Sequence, residues 1–194
     1  MRKLKILALA AIASIAYTAN VFASESYVIT RNNTVWMKVE KDANGSYNAS
    51  SDDSSSARLV KDGGTVTTSS NENYRIKYTQ DKITLTRQDG GDYLQIKDDG
   101  EKLKVRISGQ PQQWSIKKKD DKDAYKIKQG DNNFGKVKFY PEKSKVKAKD
   151  EAGTEVCMMR ANALKPAPAL CLMNDIAQKD KLMLFLLFVA YDLR

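Results

Sequence analysis

The residue type that most often acts as a catalytic base is absent from this chain. Its 194 residues include no histidine, which removes the commonest general base, the histidine-activated nucleophiles and the commonest zinc ligand. Adjacent carboxylates occur in stretches typical of turns or polar loops, at Asp52 and Asp53, at Asp98 and Asp99, and at Asp120 and Asp121. We therefore predict a protein that is not an enzyme and that uses neither a metal nor an organic cofactor.

Lysines supply the broadest functional signal. The chain has 33 Lys and Arg against 24 Asp and Glu, a formal net charge of +9. Many of these lysines alternate with apolar residues, which places them on the wet face of strands, where adjacent strands would merge them into one basic patch. The candidate binding residues are Lys102, Lys104, Arg106, Lys117, Lys119, Lys136, Lys138, Lys145 and Lys147.

A basic patch of this kind would attract anionic phospholipid headgroups, lipopolysaccharide or acidic polysaccharide. The alternative is a solubilising face that also discourages pairing between strand edges. Nucleic acid is not an expected partner, because an exported protein is separated from the nucleic acid of the cell. In addition, outward aromatic residues do not interleave with the lysines. A second functional hypothesis is a secreted structural or protein-interaction module that uses a Ser-rich loop and exposed aromatic residues such as Trp36.

Cys157 and Cys171 are the only cysteines. In an exported chain an even pair is typical of a disulfide, which would close a loop worth up to about 3 kcal/mol in the chain-entropy model. The alternative is two small buried apolar residues, because both cysteines have apolar neighbours.

The N-terminal residues 1–23 have the three parts of a secretory signal peptide. A positive start, MRKLK, precedes the apolar run ILALAAIASIA, and the small-residue pattern VFA places the mature N-terminus at Ser24. The alternative is an uncleaved anchor. Removal of Arg2, Lys3 and Lys5 would lower the formal charge from +9 to +6. We expect a periplasmic or secreted protein with one domain over residues 24–194.

The elements that must position the lysines are strands. From Tyr74 onward, apolar and polar residues alternate with a period of two, and turn sequences recur about every ten residues. This spacing predicts a mainly β fold, an antiparallel meander of about twelve strands that closes into a barrel, since closure removes strand edges. Earlier in the chain, Val35 is predicted to face inward and Trp36 outward. The segment 46–56, SYNASSDDSSS, is predicted to be a mobile loop because it has little apolar area to bury.

The C-terminal segment 175–193 is predicted to be a buried helix. Asp175 and Gln178 can form a capping box at its start. The run from Leu182 to Tyr191 is apolar on every face, so a helix formed there must be enclosed. At about 1.5 Å per residue it covers about half of the hydrocarbon core of a bilayer, so we expect no transmembrane segment in the mature chain. A closed barrel would supply the enclosure.

The order of these parts resembles the tubby C-terminal-like superfamily, which includes the tubby, LURP-one-related and phospholipid scramblase families. The likeness covers residues 74–194. It consists of repeated hairpins, the last of them reading FGKVKFYPEKSKVKAKD and EAGTEV, followed by a terminal apolar helix. It implies a closed antiparallel barrel of twelve strands around that helix. The resemblance is architectural and assigns no catalytic or binding residue.

Overall fold

The computed structural model describes residues 25–119 and 122–193. The predicted signal peptide, residues 1–23, and the pair Asp120 and Asp121 lie outside this part of the chain. The strands are β1 (Ser26–Arg31), β2 (Thr34–Lys41), β3 (Tyr47–Ser51), β4 (Ser56–Val60), β5 (Thr65–Thr68), β6 (Asn73–Thr79), β7 (Lys82–Thr86), β8 (Asp92–Asp98), β9 (Lys102–Ile107), β10 (Trp114–Lys119), β11 (Lys122–Gln129), β12 (Asn132–Tyr140), β13 (Lys145–Lys149) and β14 (Glu155–Arg160). A 3-10 turn at Pro141–Lys143, a 3-10 helix at Ala167–Cys171 and the helix α1 (Gln178–Ala190) complete the described elements.

The strands form one closed barrel. Each strand pairs antiparallel with its neighbours in sequence, and β14 pairs with β1 to complete the ring. Alternation along the strands directs residues such as Leu103, Ile116 and Ile127 inward, where they are fully buried. The predicted mainly β, closed antiparallel barrel around a C-terminal helix is confirmed. The described barrel has fourteen strands, slightly more than the twelve or so expected.

The prediction of a mobile loop at residues 46–56 is wrong. Tyr47–Ser51 forms β3, and Ser56 begins β4. Ala49 and Ala57 are directly paired and buried, on the wall that contacts α1. Small side chains make room for the helix there, so the helix supplies the apolar area that this segment lacks. The turn between the strands is held by Asp53, whose Oδ1 accepts hydrogen bonds from Ser51 Oγ (2.6 Å) and Ser55 N (3.0 Å).

Two helical segments fill the barrel. Leu182 to Leu187 are fully buried, and Phe188 is 3% exposed. The helix α1 contacts β2, β3 and β4, whereas the 3-10 helix Ala167–Cys171 contacts β12, β13 and β14. They therefore lie side by side, each against its own wall, and the chain between them crosses one end of the barrel. That end, where α1 begins, is called the entry end. In residues 25–119 and 122–193 no helix combines the length and the apolarity that crossing a bilayer requires.

The helix is shorter than the predicted span of 175–193, and the predicted capping box is absent. Its N-cap position is Ala177, which offers no side-chain hydrogen bond. Asp175 instead accepts a hydrogen bond from Trp114 Nε1 (3.1 Å) and another from Gln129 Nε2. The Asp175 carboxylate is thereby occupied by β10 and β11, so it anchors the crossing segment to the barrel wall and does not cap α1.

The predicted outward position of Trp36 is also wrong. Ile29 pairs with Met37, but the next residue, Thr30, pairs with Val35, so Trp36 is an extra residue in β2. Such a β-bulge interrupts the alternation of the strand. Trp36 is 4% exposed and Val35 is 50% exposed. The bulge therefore removes Trp36 from the outer surface.

A disulfide joins the wall to the interior. Cys157 on β14 is bonded to Cys171 at the end of the 3-10 helix, with an S–S distance of 2.05 Å and a Cα–Cα distance of 6.4 Å. Both residues are 3% exposed. The bond fixes the position at which the chain leaves the interior and begins to cross the entry end.

Replacement of both cysteines by alanine is expected to lower the free energy of unfolding by about 3 kcal/mol, because the unfolded chain gains the entropy of an open loop. Urea unfolding of the double variant and of the parent under non-reducing conditions measures the difference. Addition of a reductant should bring the parent close to the double variant. Equal stabilities of parent and variant without reductant would contradict the structural role of the bond.

Candidate anion-binding face

Five lysines lie directly opposite one another across five consecutive strands. Lys102 on β9 pairs with Lys117 on β10, which pairs with Lys126 on β11. Lys126 in turn pairs with Lys136 on β12, and Lys136 pairs with Lys149 on β13. Directly paired residues project from the same face of a sheet with their Cβ atoms about 4.5–5.5 Å apart. This row, called the lysine ladder, crosses the outer face of the barrel.

The other predicted binding residues extend the same face. Lys104 pairs with Lys97 and Ser115. Lys138 pairs with Lys147, and Lys145 pairs with Arg160. Arg106 lies opposite Gln95 on the same side of β9, and Lys119 ends β10 in register with Lys122 beyond a bulge.

The structure thus brings the predicted residues together on β9 to β13 and adds two lysines that the predicted set lacks. Lys126 stands at the centre of the lysine ladder. Its position between the apolar residues Tyr125 and Ile127, within the period-two alternation that begins at Tyr74, was the signal that could have identified it. The lysine at 149, which pairs with Lys136, also lies outside the predicted set.

Only part of this positive charge is neutralised. Lys104 pairs with Asp99 (3.1 Å), Lys117 with Glu101 (3.6 Å) and Lys147 with Glu155 (2.6 Å). Among the described residues, no salt bridge is formed by Lys102, Lys126, Lys136 or Lys149. Like charges directly opposite one another destabilise a sheet. Four of the five ladder lysines therefore have no salt-bridge partner among the described residues, and Lys117 is the one that is paired.

Asp99 and Tyr140 both interact with lysines of this face. Burial raises the pKa of the Asp99 carboxyl, but hydrogen bonds from Lys104 and from the Lys102 backbone outweigh that effect and leave the pKa below its usual value. Tyr140 lies between the paired Lys138 and Lys147, whose Nζ atoms are 5.1 and 5.7 Å from the ring centroid. Cation–π attraction of this kind holds the two ammonium groups near the sheet surface.

A polar cleft of about 610 Å³ opens near the disulfide. Its carboxylates serve the adjacent turn and strand, since Asp150 Oδ1 accepts a hydrogen bond from Thr154 N (2.8 Å) and Glu151 Oε1 accepts one from Asn133 Nδ2 (2.7 Å). Within the described residues no cluster of His, Cys, Asp and Glu could hold a metal ion. The two carboxylates thus hold the turn after β13 and connect it to β12.

No protein-family model and no curated protein matches this chain. The interpretation of the basic face therefore depends on its own geometry.

Proposed function

We propose that this is an exported, non-enzymatic protein of the cell envelope that binds a polyanionic surface through the lysine ladder. The proposed ligands are anionic lipid headgroups or acidic glycans, and the proposed location is periplasmic or secreted, on the basis of residues 1–23. The observation that carries the proposal is the row of directly opposed lysines on five adjacent strands. A relation to the tubby C-terminal-like superfamily is proposed on the barrel and its enclosed helix alone.

The energetics of the lysine ladder support a ligand role. Opposed like charges on a sheet cost on the order of 0.2–1 kcal/mol per pair, and an external polyanion would offset this cost. Neighbouring strands are about 4.8 Å apart, so five strands present regularly spaced charges over about 20 Å. Lysine is a flexible point charge and not a rigid fork. The row therefore suits a surface with many anionic groups better than a single bidentate phosphate.

The proposal is tested by sedimentation with phospholipid vesicles. We expect the protein to sediment with vesicles that contain phosphatidylglycerol and not with phosphatidylcholine alone, and we expect added salt to weaken binding, because exposed charges are screened within about 10 Å at 0.1 M. Replacement of Lys126 and Lys136 by glutamine should weaken binding about 30-fold, since each basic residue near an anionic membrane contributes about 1 kcal/mol. A parallel titration with heparin distinguishes a glycan from a lipid.

The matched control removes the same charge elsewhere. Arg75 and Lys77 are exposed on β6, outside the five strands of the lysine ladder. Their double replacement by glutamine should leave most of the binding intact. Equal loss in the two double variants would assign binding to net charge alone, and indifference of the parent to vesicle charge and to heparin would remove the proposal.

The alternative protein-interaction function loses the two surface features on which it depended. Trp36 is buried in the barrel, and the Ser-rich segment forms strands and a turn. Of the exposed aromatic residues that this alternative requires, Tyr78 remains, at 59% exposure.

A further inference from the structure

Hydrogen-bond donors without acceptors gather at the entry end of the barrel. The first turn of α1 receives no side-chain cap. The amides of Asp180 and Lys181 donate to the carbonyl oxygen of Ala177, so the amides without a partner inside the helix are those before Asp180. Gln178, the first residue of α1, has its side-chain Nε2 buried without a hydrogen-bond partner. The partial positive charge of a helix N-terminus adds to these donors.

Lys181 contributes a buried charge to the same place. It is 6% exposed, and within the described chain its Nζ has neither a hydrogen-bond acceptor nor a salt-bridge partner. It lies one turn after Gln178 on the same face of α1, and helical side chains lean toward the helix N-terminus. The Lys181 ammonium interacts electrostatically with Asp175, three residues before α1, which places it at the entry end.

A second cation shares the aromatic surface that Lys181 contacts. Arg31 Cζ is 3.5 Å and Lys181 Nζ is 5.5 Å from the centroid of the Trp36 ring. Arg31 donates to the carbonyl oxygen of Cys171 at 3.4 Å, which is a weak contact. Burial, and next the nearby Arg31 charge, lower the pKa of Lys181 to about 8. The bulge that turns Trp36 inward thus supplies the ring over which both cations lie.

The surrounding carboxylates do not neutralise this pair. Asp52 acts on Arg31 and Asp175 acts on Lys181 electrostatically, but in the described part of the chain neither forms a salt bridge with either cation. Asp175 accepts its hydrogen bonds from β10 and β11. Asp180, also in the first turn of α1, accepts a hydrogen bond from Tyr93 OH at 2.7 Å.

We propose that Arg31, Gln178, Lys181 and the first amides of α1 form a binding site for a small oxyanion that carries a phosphate or sulfate group. All of these groups donate, so an anion would satisfy them together, and helix N-termini are established anion sites. The site is built on β1, β2 and α1 and is separate from the lysine ladder. It therefore goes beyond the proposed surface-binding function.

Thermal unfolding in inorganic phosphate or sulfate, with sodium chloride holding the ionic strength constant, tests this site. Saturating phosphate should raise the Tm of the parent protein by at least about 2–4 °C, because a ligand that binds only the folded state stabilises it. In Lys181→Met this shift should disappear. Lys179→Met is the matched control: Lys179 lies in the same turn but pairs with Glu72 at 2.8 Å, so its loss should leave the phosphate effect unchanged.

Two further measurements complete the test. Calorimetric titration of the parent with phosphate should detect one site per chain, and Arg31→Gln should weaken it even if Lys181→Met folds poorly. Competition between phosphate and phosphatidylglycerol vesicles would identify a lipid headgroup as the source of the oxyanion, and independence would identify a free anion. The same Tm shift in the parent and in Lys181→Met would overturn the proposal. So would the absence of calorimetric binding to the parent at the phosphate concentration that saturates the Tm shift.

Discussion

Phe185→Ala is expected to lower the free energy of unfolding by about 3–5 kcal/mol. Phe185 lies in the middle of α1, is fully buried and is among the largest enclosed side chains. The cost combines lost apolar transfer with the cavity that remains. Because the strands form a continuous hydrogen-bonded ring, the wall cannot collapse easily around the missing ring. We therefore expect a value in the upper part of this range.

Urea unfolding followed by circular dichroism measures this cost. Leu186→Met, which nearly conserves volume on the same helix, should cost less than about 1.5 kcal/mol. Val35→Ala removes an exposed apolar side chain and should change stability by no more than about 0.5 kcal/mol. A cost below about 1 kcal/mol for Phe185→Ala would mean that α1 is not enclosed, which would contradict the central feature of the barrel.

The enclosed helix and the strands could be predicted because their signals are local. A run that is apolar on every face admits no wet side, and period-two alternation in β9, β12 and β13 fixes which residues face inward. The helix start was predicted wrongly because the Asp175 carboxylate had an equally good use in a tertiary contact with Trp114. Local sequence favours a cap, but it does not reveal a competing donor on a distant strand.

The errors on β2 and β3 both concern strands that contact α1. A bulge at Trp36 breaks the alternation from which its outward position was inferred. At Ala49 and Ala57, small residues that suggest a loop in isolation provide the space that α1 occupies. The helix that occupies this space lies more than 100 residues later in the chain, so the local sequence gives no sign of it.

Of the two candidate sites, one could be predicted in part from the sequence and the other could not. The lysine-rich strands are visible in the sequence, but the lysine ladder depends on the register of four strand pairs, and a one-residue slip in any of them would break the row. The cluster of Arg31, Trp36 and Lys181 joins opposite ends of the chain through the barrel. No local pattern indicates it, because each of these residues is unremarkable among its sequence neighbours.

Gly135 permits a close approach between β12 and the end of β13, two strands of the lysine ladder. Its φ is +128°, a conformation that favours glycine. A Cβ at this position would lie 2.1 Å from the carbonyl oxygen of Lys149 and 2.9 Å from the Cα of Asp150. Both are backbone atoms at the end of β13, the strand that pairs with β12. A change of side-chain rotamer therefore cannot relieve the clash. Gly135 immediately precedes Lys136, which pairs with Lys149.

Gly135→Ala is therefore expected to cost at least about 4 kcal/mol or to prevent folding, because β12 and β13 must separate to admit the methyl group. Gly153→Ala is the matched control: its φ is +88° and no atom lies within 4 Å of the added Cβ, so it should cost only the conformational penalty of about 1–2 kcal/mol. Urea unfolding compares the two variants. Similar costs would mean that backbone conformation alone selects glycine at 135 and that the close approach to Lys149 is not required. A much larger cost at 135, with loss of vesicle retention in any folded fraction, would tie the pairing of β12 and β13 to the lysine ladder.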